Sequence, residues 1–251
     1  MKNNSNIQLS IKTTGHGSPV VFIHGFLEDS TMWNGVSTDN ICAIKVDLPG
    51  HGDSPEANSQ YSIVELAMKI HEHLSEDENY TIIGHSMGGY VGLELMRLGK
   101  NYTKLILLNS NFWADDEEKK FNRRRVAELV QTRKRHFIYE AIPNLFNLPE
   151  KFDKQIKCLI KDALLISKDS IAQASIAMAN RRDNTDLVEA NKVVVMQGEF
   201  DAIVPIQKMK KAQKALGFRL IEFDSGHMSH IESLNELNKE LKELFISSHC
   251  R

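Results

Sequence analysis

The sequence predicts an α/β fold: a mostly parallel central sheet flanked by helices on both faces, with a helical insertion near the middle. Three features of the chain predict it. Short apolar runs alternate with runs of helical period. Two of the apolar runs, at 20–23 and 41–46, are nearly continuous, as strands buried on both faces are. The alternation then stops between Asn111 and Asn184, where only helical patterns occur.

Taken in order, Ile7 to Lys12 alternates apolar and polar residues, the pattern of an edge strand. Val20-Val21-Phe22-Ile23 and Ile41 to Val46 follow as buried strands. Ile63 to Leu74 is a helix, with Ile63, Leu66, Ala67, Ile70 and Leu74 on one face. Tyr80-Thr81-Ile82-Ile83 is a short buried strand, and Tyr90 to Leu98 a helix. Lys104 to Leu108, Lys192 to Met196 and Arg219 to Phe223 complete the strands. A helix from about Ser229 to Ile246 closes the chain.

The stretch 111–184 is expected to form a helical cap, set into a core made of 1–110 and 185–251. Pro143 and Pro149 interrupt it. It opens with Asp115-Asp116-Glu117-Glu118 and continues through Arg123-Arg124-Arg125 and Arg133-Lys134-Arg135, which suits the dipole of a helix. These basic residues form either a solvated helix face or a basic rim over the active site that favours an anionic substrate.

At 251 residues the chain is long enough for one large domain. Its 41% hydrophobic and 25% charged residues are ordinary for a globular protein. A net charge of −2 makes no case for nucleic acid or an anionic membrane surface. No apolar run approaches the roughly 20 residues needed to cross a bilayer. The polar start, Met1 to Asn6, lacks the apolar core of a secretory signal. Cys42, Cys158 and Cys250 have neither metal spacing nor a disulfide pattern, and Cys42 is expected as a small core residue of a strand. A cytoplasmic monomer or homodimer, with no partner beyond a small-molecule substrate, is the expectation.

The chemistry centres on Gly84-His85-Ser86-Met87-Gly88-Gly89, between a strand and a helix. A serine with glycines two before and two after, at such a turn, fits a nucleophile elbow. The tight turn leaves little room for side chains near Ser86, hence Gly84 and Gly88. A serine hydroxyl needs a base, and the base an orienting acid. Asp201 follows the strand ending near Gly198, with Glu199 and Asp224 as alternatives. His227 follows the final strand, with His230 as its competitor. The carboxyl ends of parallel strands are where such sheets place their ligands, so all three groups come to one edge. Ser86 would attack a carbonyl carbon, His227 would carry the proton, and Asp201 would orient the ring. Met87 N–H and Phe26 N–H would form an oxyanion hole. His85 and Gly25 are candidates to line the substrate pocket. His24 is expected to pack behind the oxyanion loop, and His51 to hold the turn Asp47 to Ser54. No metal or organic cofactor is implied.

With these residues the chain resembles the α/β-hydrolase fold superfamily. The matching segments are His24-Gly25-Phe26, Asp47-Leu48-Pro49-Gly50-His51-Gly52-Asp53-Ser54, Gly84 to Gly89, Gly198 to Pro205, and Ser225-Gly226-His227. The resemblance implies an eight-stranded sheet, here with a short amino-terminal part and one edge strand open to loss. It implies a cap over 111–184 that shapes the pocket. Serine at position 86 argues against the haloalkane dehalogenase and epoxide hydrolase branches, which place an aspartate there. A serine hydrolase of small carboxylic esters or thioesters, working through an acyl-enzyme, is the expected activity. Carbon–carbon lyase or hydrolase chemistry of the menaquinone-pathway type on the same triad, and a ligand-sensing protein without turnover, are the alternatives.

Overall fold

The computed structural model describes residues 7–99 and 101–246. Cys250 and the start, Met1 to Asn6, therefore lie outside the described residues. Seven strands form one sheet: β1 (Ser10–Gly15), β2 (Ser18–Ile23), β3 (Ile41–Asp47), β4 (Tyr80–His85), β5 (Tyr102–Leu108), β6 (Val193–Gly198) and β7 (Arg219–Phe223). Their order across the sheet is β1-β3-β2-β4-β5-β6-β7. Only β1 runs antiparallel, against β3; all other pairings are parallel. Among the described residues the sheet thus has seven strands where the resemblance implied eight.

Among the described residues eight α-helices flank or extend this sheet. They are α1 (Ile63–His71), α2 (Met87–Arg97), α3 (Glu117–Ala141), α4 (Asp153–Ala163), α5 (Lys168–Ala179), α6 (Ile206–Leu216), α7 (Ser229–Glu232) and α8 (Leu234–Ile246). None of the described helices is long and apolar enough to cross a membrane.

The alternation of strand side chains builds two cores, one on each face of the sheet. Val21, Ile23, Ile82, Leu105, Leu107, Val193 and Val195 pack on one face with residues of α1, α2 and α6. Their neighbours Val20, Phe22, Ile83, Ile106, Leu108, Val194 and Met196 pack on the other face, against Trp33 and Leu237, Leu241 and Leu244 of α8. Truncating a side chain as enclosed as Ile82 or Leu105 to alanine costs about 2–5 kcal/mol. A third cluster, with Val130, Ile138, Ile156, Ile160 and Ile171, joins α3, α4 and α5 above the sheet. It also contains Leu27 and Met228, so the insertion rests directly on two loops of the sheet edge.

Three of the boundaries that differ from the sequence expectation have a visible cause. Ile7 is buried in the core as the chain enters, and pairing begins only at Ser10, opposite Asp47. The first helix ends at His71, because His73 and Leu74 tighten into i to i+3 hydrogen bonds; Leu74 still packs on the core. The closing helix is two helices, α7 and α8. Ser233 breaks it at φ −129°, ψ 38°, and its hydroxyl donates to the Asp224 carbonyl. Cys42 lies in β3 but is half-buried.

Candidate active site

All strands from β2 to β7 run the same way, so their carboxyl ends meet at one edge of the sheet. Ser86 follows β4 immediately, Asp201 follows β6 by three residues, and His227 follows β7 by four. Ser86 has φ 48° and ψ −112°, a conformation that a non-glycine residue rarely adopts. The turn is held from both sides. Ser86 N–H donates to Leu108 O, and its own carbonyl accepts from Ser110 Oγ and Gly89 N–H. A Cβ on Gly84 would strike the Gly88 backbone, and one on Gly88 would strike the Ile23 carbonyl. The two glycines therefore let β4, α2 and β2 approach closely enough to make the elbow.

His227 bridges the other two residues. Its Nε2 lies 2.9 Å from Ser86 Oγ, and its Nδ1 lies 2.8 Å from Asp201 Oδ2. With a carboxylate on the Nδ1 side, that nitrogen carries a proton and Nε2 is free to accept from the serine hydroxyl. The Asp201 carboxylate also accepts from Ile203 N–H, Val204 N–H, Asn109 Nδ2 and Gln197 Nε2, at 2.7–3.0 Å. Burial alone would raise its pKa. The charge of His227 and this set of donors hold it below the ordinary aspartate range, so it stays anionic. Glu199 and Asp224 are exposed, and His230 faces Glu28. The structure thus brings together Ser86, His227 and Asp201 and leaves the alternatives outside the relay.

The loop after β2 carries Phe26, and the start of α2 carries Met87, the two residues expected to face an oxyanion. Leu27, in the loop after β2, has φ 66°, in the left-handed region. Phe26 borders the cavity that holds Ser86, and Met87 begins α2. Among the described residues no other group of the protein accepts from Phe26 N–H or Met87 N–H. His24 is fully buried behind the loop. Its Nδ1 meets Gly25 O at 2.7 Å, and its Nε2 accepts from Leu48 N–H at 2.9 Å. His51 is equally buried, with Nδ1 2.9 Å from Pro49 O. Gly25 does not border the cavity; its N–H donates to Glu28.

Sequence reasoning did not find Glu28, Asn109 or Gln197. Glu28 is buried, with its carboxylate 2.6 Å from His85 Nδ1 and 3.2 Å from His230 Nε2. His85 borders the cavity, and its Nε2 donates to His227 O at 3.0 Å. Among the described residues, Glu28, His85 and His230 bring metal-ligand atoms within 4.8 Å of one another. Both ring nitrogens of His85 already face acceptors, so its hydrogen bonding is complete without a cation.

The cavity at Ser86 and His227 has a volume of about 310 Å³. Its walls are mainly apolar: Phe26, Val126, Phe137, Leu145, Met178 and Met228 contribute. Most of them come from the insertion, which roofs the site. A larger hollow of about 630 Å³ lies between Leu27, Asp53, Lys154 and Cys158 but does not reach Ser86 or His227. Of the basic run, only Arg123 borders the Ser86 cavity. Arg124, Arg125, Arg133 and Arg135 are exposed, while Lys134 caps the end of α4 by donating to Leu164 O and Ile166 O. Most of the run is therefore a solvated face.

A family model described as the alpha/beta hydrolase family matches residues 20–240. An esterase from Thermogutta terrifontis, solved with malate bound, superposes with a TM-score of 0.88 and 30% identity, over 97% of this chain and 94% of its own. The dihydrolipoyllysine-residue acetyltransferase component of the acetoin cleaving system of Pseudomonas putida is 25% identical over 90% of this chain and 62% of its own. A pimeloyl-[acyl-carrier protein] methyl ester esterase of Methylococcus capsulatus is 34% identical over 36% of this chain and 35% of its own. The chain thus spans less than two thirds of the length of these curated relatives.

Proposed function

The chain belongs to the alpha/beta hydrolase family, and from that premise we propose that it is a serine esterase acting on small carboxylic esters or thioesters. One observation carries this reading: His227 stands between Ser86 Oγ and Asp201 Oδ2, within hydrogen-bond distance of both. The similarity to the Thermogutta terrifontis esterase over nearly all of both chains supports it.

The chemistry runs in two halves. Ser86 Oγ attacks the ester carbonyl as its proton passes to His227 Nε2, and Asp201 steadies the imidazolium. The oxyanion takes hydrogen bonds from Met87 N–H and Phe26 N–H, which have no other acceptor among the described residues. The C–O bond to the alcohol breaks, and the alcohol leaves with the proton held by His227. Water then enters, gives a proton to His227 and attacks the acyl-serine. The acid departs as Ser86 recovers its proton. A thioester follows the same course with a thiol as leaving group.

The test is hydrolysis of short and medium p-nitrophenyl esters, with Ser86→Ala in parallel and a fluorophosphonate probe for the serine. Turnover and labelling that both vanish in Ser86→Ala are expected, with a loss on the order of 10⁴–10⁶ in rate. A variant that kept more than about a tenth of the wild-type rate would remove Ser86 as nucleophile. Labelling of the wild type without turnover of any ester would instead point to the lyase or sensor alternatives.

A further inference from the structure

A second cavity, of about 240 Å³, opens beside the one at Ser86, and the two share Asn122, Arg123 and Ile203 as walls. Its other walls are of a different character. Tyr90, Asn111, Asp115 and Lys119 replace the apolar side chains around the nucleophile.

The charges of this second cavity do not balance internally. Asp115 is buried and is already shared by two arginines: Arg123 Nε lies 2.5 Å from one oxygen and Arg181 Nη2 2.7 Å from the other. Lys119 adds a third cation. Its ammonium has no carboxylate partner among the described residues, and its one contact is the Ile203 carbonyl at 3.4 Å. Asp116, its neighbour in sequence, uses its carboxylate to cap α3 through Lys119 N–H. The Tyr90 hydroxyl accepts from Asn111 Nδ2 at 3.3 Å, which leaves its own proton to donate. Lys208, which stacks on Trp113 nearby, is held below the ordinary lysine range by burial and then by the charge of Lys119.

We propose that this second cavity seats a carboxylate of the substrate, so that the preferred ester is a half-ester of a dicarboxylic acid. Its ester carbonyl lies at Ser86, its methylene chain follows the apolar wall, and its free carboxylate meets Lys119, the open edge of Arg123 and the Tyr90 hydroxyl. The proposal rests on Ser86 being the nucleophile of an esterase. A partly enclosed carboxylate held by an unpaired ammonium gains more than one in open water, where the pair would be screened.

Monoethyl esters of straight-chain dicarboxylic acids, compared with ethyl esters of monocarboxylic acids of equal length, test it by pH-stat. Wild-type kcat/KM is expected to favour the half-esters by about tenfold or more, the scale of one charged hydrogen bond. Lys119→Met is expected to abolish that preference and leave the neutral esters within about twofold, and Lys119→Glu to reverse it. Calorimetric binding of adipate to the wild type and to Lys119→Met supplies a readout without turnover. Hydrolysis of both ester classes without preference, or an equal loss on both in Lys119→Met, overturns the subsite and leaves the esterase reading standing. Adipate binding that Lys119→Met abolishes, with no ester turned over, supports the subsite and overturns the esterase reading. Neither turnover nor adipate binding overturns both.

Discussion

His85 Nδ1 lies 2.6 Å from the Glu28 carboxylate, and the opposite ring nitrogen of His85 lies 3.0 Å from the carbonyl oxygen of His227. Both ring nitrogens face acceptors, so both carry protons and the ring is an imidazolium. Burial alone would discharge each group. Their mutual charge reverses this, holding His85 above the ordinary histidine range and Glu28 well below the carboxylate range. Glu28 also accepts from Gly25 N–H. One buried ion pair therefore ties the loop carrying Phe26, the residue before Ser86 and the backbone of His227.

Replacing Glu28 with Gln keeps the shape and removes the charge. His85 then loses a proton, and one of its two hydrogen bonds breaks or inverts. A stability loss of about 1–3 kcal/mol is expected, the cost of leaving one buried hydrogen-bonding group unsatisfied once the charge is gone. Denaturant titration measures it. A kcat about tenfold or more below wild type, with KM changed less than threefold, is expected from the displaced loops. A variant as stable and active as wild type would show that the pair does not join them.

Much of this arrangement was legible in the sequence, for a local reason. The elbow declares itself because Gly84 and Gly88 answer a steric demand within a few residues. Asp201 and His227 declare themselves because each follows an apolar strand closely. Glu28, Asn109 and Gln197 carry no such signature. Glu28 meets residues 57 and 202 positions away, and Asn109 meets Asp201 across 92, so their roles exist only once the sheet has formed. The run of arginines left two readings open. Composition allows a solvated face or a rim, and helical rotation decides between them by sending most of the side chains to solvent and only Arg123 toward the Ser86 cavity. The break at Ser233 was equally hidden, because the apolar period continues through it.

Asp201→Asn is expected to lower kcat on the order of 10⁴-fold, the scale seen when a triad aspartate loses its charge. Among the described residues every hydrogen-bond partner of the Asp201 carboxylate is a donor: His227, Asn109, Gln197 and two backbone N–H groups. An asparagine turns one of its ends toward a donor, which leaves a buried pair of donors unsatisfied or forces the wrong tautomer on His227. Melting should therefore also fall, by about 1–3 kcal/mol in stability. Loss of rate below about tenfold would mean that His227 takes its orientation elsewhere.

Stability should fall steeply as pH drops below 6.5. Burial lowers the pKa of His24, His51 and His230, with His51 brought down to about 3. Below 6.5 the unfolded chain binds more protons at these positions than the native chain does, so acid favours unfolding. Three such protons give a slope of up to about 4 kcal/mol per pH unit. His85 acts in the other direction. Its raised pKa gives a contribution fully present below 6.5 that is lost as pH rises through the folded value. Urea midpoints from pH 7 down to pH 5 measure the acid slope, and His51→Asn should reduce it by up to about 1.4 kcal/mol per pH unit, the share of one proton. An unchanged slope in that variant would show that His51 protonates in the native state.

The strain at Ser86 has its own test, separate from chemistry. At φ 48°, ψ −112° a side chain is disfavoured by about 1–3 kcal/mol, while glycine pays only about 0.5–1 kcal/mol in unfolded-state entropy. Ser86→Ala and Ser86→Gly both remove the hydroxyl and its contact with His227, so their difference isolates the backbone. Ser86→Gly should melt no lower than Ser86→Ala, and above it if the strain exceeds the entropy. The hydrogen bonds from Ser86 N–H and to its carbonyl hold the turn in either variant. If Ser86→Ala proved the more stable by over 1 kcal/mol, the elbow would be relaxed, and the reach of Ser86 toward His227 would need no stored strain.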